Sequence, residues 1–172
     1  MKTLNVGVIG CGEIAGHIAL VSKLIPRVKL SACCDVVAER ARVFAKRHRI
    51  PLIYSDYNEM LANAPLDAIY LAVPHHHHYH MVLSAVNIGK PVLVEKPLTR
   101  TLEEGIMLIE MTTGQKVGVN YQYRYDKGCY ALGRGVARDP ARAITIKRAE
   151  RKSPDVLTDA ERKKVIREVT AR

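Results

Sequence analysis

Val6-Gly7-Val8-Ile9-Gly10-Cys11-Gly12-Glu13-Ile14-Ala15 is the stretch that decides the fold. An apolar run that opens at Leu4 leads into Gly10-x-Gly12-x-x-Ala15, and a helical pattern comes next. Strand, tight turn and helix in that order are the context in which a glycine fingerprint cradles a dinucleotide. Gly10 permits the sharp turn, Gly12 lets backbone come close to a pyrophosphate, and Ala15 keeps helix and strand in contact. The helix start at Glu13 and Ile14 offers free N–H groups and the positive end of a dipole to phosphates.

A second signal lies downstream. The next apolar run, Val28–Cys34, ends at Asp35. That places a carboxylate about 20–25 residues past the turn, where ribose hydroxyls are expected. Asp35 equally suits the cap of a helix that opens at Val37, and the two roles are compatible. Its charge opposes a 2′-phosphate, so NAD is expected over NADP. Arg40 is near enough in sequence to complicate that preference.

Outward from the fingerprint, strand and helix alternate through Gly118. The spacing predicts strands at Leu4–Ile9, Val28–Cys34, Leu52–Tyr54, Ala68–Val73, Pro91–Glu95 and Lys116–Tyr121. Helices are predicted at Ile14–Ile25, stopped by Pro26, and at Val37–His48 with Val37, Ala41, Phe44 and Ala45 on one face. Asp56-x-x-Glu59 and Thr101-x-x-Glu104 are capping-box patterns that open two more, the latter ending near Gly114. His77–Ile88 is a further helix with Gly89 at its C-cap. Near-continuous apolar strands separated by helices define an α/β, Rossmann-type, doubly wound parallel sheet covered on both faces. Residues 1–118 are expected to form that domain. Residues 119–172 read as a short, incomplete α+β appendage: a helix at Asp126–Ala137, a strand at Ala143–Lys147 and a charged helix opened by Thr158-x-x-Glu161. An unpaired strand there would favour self-association, so a homo-oligomer, most simply a dimer, is expected.

Composition narrows the class. The chain has 172 residues, 48% of them hydrophobic, enough for one packed domain with a small addition. No apolar run approaches a membrane span. The first residues run directly into a strand, so no signal peptide is expected. The cysteines Cys11, Cys33, Cys34 and Cys129 have no zinc-like spacing, and the adjacent pair points to opposite faces of a strand. A reduced, cytoplasmic protein is the expectation. The formal net charge of +10 raises nucleic acid as a partner. Its distribution argues against that. Residues 1–100 hold 12 Lys and Arg against 7 Asp and Glu, and residues 101–172 hold 15 against 10, with no DNA- or RNA-reading motif. A solvated basic face, or a surface for acidic cofactors and substrates, accounts for the charge.

Glu95-Lys96-Pro97 at the end of the fifth strand adds a family resemblance. With Gly10–Ala15, Val73-Pro74-x-x-x-His78, Gly89-Lys90-Pro91-Val92 and Asn120-Tyr121-x-Tyr123-Arg124-Tyr125, it resembles the Gfo/Idh/MocA oxidoreductases over residues 1–137. The resemblance implies a nicotinamide-binding Rossmann domain that moves hydride between the cofactor and a sugar- or cyclitol-like hydroxyl. It implies that Lys96 lies beside nicotinamide and substrate as the catalytic lysine, with a frequently cis bond to Pro97. It also places Val73, Pro74, His78, Glu95 and Arg124 near the cofactor. The residues agree, since ligands in an open parallel sheet bind beyond the strands' carboxyl ends, where Gly10, Asp35, Pro74 and Lys96 all fall. Taken alone, Lys96 reads better as a solvated strand-end lysine, and the Glu95-Lys96-Pro97 setting turns the reading toward the site. Family members carry a second domain with an Asp-x-x-x-His motif, and the last histidine here is His80. These residues by themselves are therefore expected to turn over slowly or not at all. The alternative function is a non-catalytic dinucleotide-binding or oligomerisation module.

His75-His76-His77-His78-Tyr79-His80 is the one biased segment. On a helix, His76 and His80 would stand at i, i+4, a chelating spacing, but no cysteine or acid lies nearby to complete a metal shell. Surface histidines, with His78 on the cofactor side, are the expectation, and no metal is assigned.

Overall fold

The computed structural model describes residues 2–121. The predicted alternation becomes strands β1 (Leu4–Ile9), β2 (Val28–Cys34), β3 (Leu52–Tyr54), β4 (Ala68–Leu71), β5 (Val92–Glu95) and β6 (Val117–Asn120). Between them run helices α1 (Glu13–Ser22), α2 (Ala38–His48), α3 (Tyr57–Asn63), α4 (His78–Asn87) and α5 (Leu102–Met111). The strands form one sheet in the order β3-β2-β1-β4-β5-β6, with every neighbouring pair parallel. The order reverses between β1 and β4. That reversal opens a crevice at the carboxyl ends of the two strands, the place where doubly wound sheets bind ligands.

Two apolar layers flank the sheet. Val8, Cys33 and Tyr70 pack against Ala15 and Ala19 of α1 and Ala41, Phe44 and Ala45 of α2. Ile9, Cys34, Ile69, Leu71 and Val94 pack on the other side against Met60, Val82, Ala85 and Leu108. Cys33 and Cys34 thus enter different layers, as strand alternation requires. Helices cover both faces, but beside α1 an apolar groove of 570 Å³ runs over β4, β5 and β6, lined by Ile18, Val21, Ile25, Tyr70 and Leu93 among others.

The boundaries differ from expectation where proline or a turn intervenes. Helix α1 stops at Ser22 rather than Ile25. Leu24 N–H and Ile25 N–H bond to carbonyls three residues back, a tightened ending forced by Pro26, which disfavours helical backbone before it. Val37 is not on the buried face of α2. It is the extended N-cap, 45% exposed, while Ala41, Phe44 and Ala45 are buried as predicted. Strand β4 ends at Leu71, although Ala72 N–H still reaches Ile9 O at 2.8 Å. The histidine run begins as a 3-10 turn, His75–His77, and only then becomes α4. His76 and His80 are therefore not on one helix. Asp56 caps α3 as its motif predicts, accepting from Asn58 N–H at 2.7 Å and Glu59 N–H at 2.9 Å, a contribution of about 1 kcal/mol. No described helix is long and apolar enough to cross a membrane. The predicted elements at Asp126–Ala137, Ala143–Lys147 and Thr158 onward, and Arg124, lie outside the described residues, as does the strand on which the dimer expectation rests.

The last turn of α2 buries a histidine without partners. His48 packs on Phe44 with ring centroids 4.6 Å apart, and neither of its ring nitrogens has a hydrogen bond. Burial, then the charges of Lys23 and Arg47, hold its pKa below the ordinary histidine value. The unfolded chain therefore binds a proton that the folded chain refuses as pH falls below about 6.5. Stability is full above that range and should decline below it, by at most about 1.4 kcal/mol per pH unit for one proton. Urea midpoints at pH 7.5 and 5.5 check this. His48→Leu should flatten the decline, and an equally steep decline in that variant would assign it elsewhere.

Candidate cofactor site

The site is built from the turns at the carboxyl ends of the strands. After β1 the chain turns at Gly10, whose φ is 89° and whose N–H donates to Cys34 O at 2.8 Å. A Cβ at Gly10 would stand 2.4 Å from the Ala72 carbonyl oxygen, so only glycine makes this turn. Gly12 is the N-cap of α1, extended at φ −80° and ψ −170°, and no side chain caps the helix. A Cβ there would meet nothing within 4 Å. The N–H groups of the first turn, at Glu13 and Ile14, have no side-chain cap among the described residues. Ala15 is 1% exposed and seats α1 against the sheet. An open cradle at a helix start, with donors waiting, fits a pyrophosphate.

Asp35, directly after β2, is buried and joined to that turn. Its Oδ2 accepts from Cys11 N–H at 2.9 Å and its Oδ1 from Val37 N–H at 2.9 Å. The Arg40 guanidinium stands 3.4 Å from both oxygens, its side chain 54% exposed. Asp35 therefore supports the entry into α2 and also points its carboxylate at the glycine turn, with Arg40 as its counter-ion. Two of the nearby thiols are held protonated. Hydrogen bonding with Cys33 and burial push the Cys11 thiol far up, and burial pushes Cys34 up to about 12.

On the other side of the switch point, Val73 and Pro74 come after β4, Glu95 ends β5, and Lys96 and Pro97 come after it. The Lys96–Pro97 peptide is cis. Lys96 is exposed at the strand end. His78 is unlike its neighbours in the run. His75, His76, His77 and His80 are exposed, whereas His78 is 1% exposed. Its Nδ1 lies 2.7 Å from Pro97 O and its Nε2 2.9 Å from Val73 O. The ring ties the loop after β4 to the turn after β5 and reaches a ligand only through them. Glu95 is 8% exposed, and its Oε1 accepts from the Tyr70 hydroxyl at 2.5 Å and from Asn120 Nδ2 at 2.6 Å. Tyr70 escapes a reading by pattern because it occupies an apolar strand position. Its one signal is a hydroxyl in an otherwise aliphatic run, which must find a partner when buried.

Gly10, Gly12, Glu13, Ile14, Asp35, Val73, Pro74, Glu95, Lys96 and Pro97 thus gather at the carboxyl edge of one sheet. This defines a dinucleotide-binding doubly wound domain of the dehydrogenase type. Residues 4–123 match the profile of the oxidoreductase family with an NAD-binding Rossmann fold, and the chain belongs to that family, Gfo/Idh/MocA. An uncharacterized oxidoreductase of Rhizobium meliloti is 36% identical over 125 residues, covering 68% of this chain and 36% of that protein. Inositol 2-dehydrogenase of Burkholderia cenocepacia is 34% identical over 137 residues, covering 77% of this chain and 41% of the relative. Among solved structures, scyllo-inositol dehydrogenase from Lactobacillus casei with bound NAD(H) and scyllo-inositol superposes with a TM-score of 0.67 at 26% identity. That superposition covers 73% of this chain and 38% of the other. The chain spans about two fifths of the length of such relatives.

Proposed function

We propose that this chain binds NAD(H), in preference to NADP(H), as the cofactor half of an oxidoreductase acting on a polyol or cyclitol-like hydroxyl. The observation that carries the reading is the Asp35 carboxylate bonded to Cys11 N–H inside the Gly10–Gly12 turn. One buried acid is thereby fixed beside the open helix start of α1, the pairing that a ribose and a pyrophosphate require.

The division of labour comes from placement. The first-turn N–H groups of α1 would hold the pyrophosphate, and Asp35 would accept from the ribose hydroxyls. Val73, Pro74 and Pro97 would wall the nicotinamide side, with His78 behind them. Bound NAD supplies the hydride acceptor. Lys96, exposed at the end of β5, would donate to the substrate oxygen and orient the hydroxyl for transfer. The polyol class rests on the inositol dehydrogenases among the relatives. Titration with NADH and with NADPH, monitored by nicotinamide fluorescence, tests the reading. Saturable NADH binding that is tighter than NADPH binding is the expected result, and no response to either overturns it.

A further inference from the structure

Glu95 is the most buried carboxylate on the nicotinamide side of the switch point among the described residues, and three strands cooperate to hold it. Tyr70 of β4 and Asn120 of β6 both donate to the same oxygen, Oε1. Asn120 is the register partner of Glu95 across the parallel pair. No lysine or arginine among the described residues lies within ion-pair distance of Glu95. Oε2 accepts none of the described side-chain hydrogen bonds. Among the described residues, the buried side-chain polar atoms without a partner are the His48 ring nitrogens alone. Oε2 is therefore the carboxylate oxygen without a side-chain donor among the described residues, at the last position of β5, with Lys96 next in the chain.

The two oxygens have different fates because the two donors take only one of them. Tyr70 is 3% exposed, and burial, then its bond to Glu95, drives its phenol above the ordinary range. It stays protonated and remains a donor. Asn120 can only donate through its amide nitrogen. The pair pins the carboxylate while leaving one oxygen presented at the carboxyl edge of β5. In the doubly wound sheet, the mononucleotide half past the switch point lies over β4, β5 and β6. The ring placed there carries a positive charge in NAD⁺ and none in NADH.

We propose that Tyr70 and Asn120 are positioning residues that fix the Glu95 carboxylate at the nicotinamide end of the cleft, where its charge tightens NAD⁺ binding relative to NADH. The inference rests on the NAD-binding reading above and adds to it a selectivity between oxidation states. At an effective dielectric constant of about 20, a unit charge about 10 Å from the ring shifts such a ratio roughly tenfold.

The test measures dissociation constants for NAD⁺ and NADH by calorimetry on the chain and its variants. Glu95→Gln keeps the shape and removes the charge, so Kd(NAD⁺)/Kd(NADH) should rise roughly tenfold. Tyr70→Phe is isosteric apart from the hydroxyl and should move the ratio the same way by a smaller factor. Glu95→Asp should fall between Glu95→Gln and the unaltered chain. General loosening weakens both cofactors alike and leaves the ratio unmoved, so the ratio separates positioning from mere structure. If the unaltered chain binds neither cofactor, the NAD reading itself falls. If both bind and Glu95→Gln leaves the ratio unchanged, the NAD reading stands and the charge selectivity is overturned. A shift in Glu95→Gln without one in Tyr70→Phe overturns the positioning role of Tyr70.

Discussion

Gly12→Val should leave the fold intact and remove dinucleotide binding, while Gly10→Ala should do the reverse damage by weakening the fold first. At Gly12 a Cβ meets nothing within 4 Å, and the backbone is extended, a conformation valine adopts readily. The folding cost should stay within about 1 kcal/mol, the scale of a poorer N-cap. The branched side chain would fill the space above the helix start, so the pyrophosphate would lose its bonds to the first-turn N–H groups. Two charge-assisted hydrogen bonds at about 1.5–3 kcal/mol each correspond to about 10²–10⁴-fold in affinity. At Gly10 a methyl group would meet the Ala72 carbonyl oxygen at 2.4 Å, with φ at 89°. Backbone strain and overpacking should cost on the order of 2–4 kcal/mol. Thermal unfolding and NADH titration on both variants check the contrast. Full NADH affinity in a folded Gly12→Val chain would remove the turn from the binding site.

The second large effect concerns the choice of cofactor. Asp35→Ser should raise NADPH affinity relative to NADH by about 100-fold, reversing the expected preference. Two changes act together. A carboxylate that repels the 2′-phosphate is lost, at about 3 kcal/mol for unit charges roughly 6 Å apart in an effective dielectric of about 20. Arg40, which stands 3.4 Å from Asp35 and is 54% exposed, is freed to meet the phosphate. Serine can still accept from Val37 N–H, whereas Cys11 N–H loses its partner, so some stability is lost as well. Adding Arg40→Ala to Asp35→Ser should cancel most of the gain for NADPH. Ratios of NADH to NADPH dissociation constants in the three proteins decide it, and a ratio unmoved by Asp35→Ser would exclude Asp35 from the adenosine end.

The sequence by itself determined the β1–turn–α1 unit, the order of strands and helices, and the places where Gly10, Asp35 and Lys96 stand. Those features are local. A turn that only glycine can make, an apolar run of strand length and a capping motif such as Asp56-x-x-Glu59 act within a few residues, so period and turn chemistry suffice to read them. The family motifs at Glu95–Pro97 and Val73–His78 were legible for the same reason, as short runs. What only the tertiary structure decided is which distant groups meet. Tyr70, Glu95 and Asn120 are 25 residues apart at each step and converge because β5 lies between β4 and β6. His78 reads as a histidine of the first helical turn on the cofactor side, and its enclosure comes from two carbonyls, Val73 O before the run and Pro97 O distant in the chain. His48 reads as one more residue of a basic helix end and is buried against Phe44 without a partner. Strand order and loop closure set these meetings, and no single stretch of chain carries that information, because the partners come from elements separated by whole crossovers.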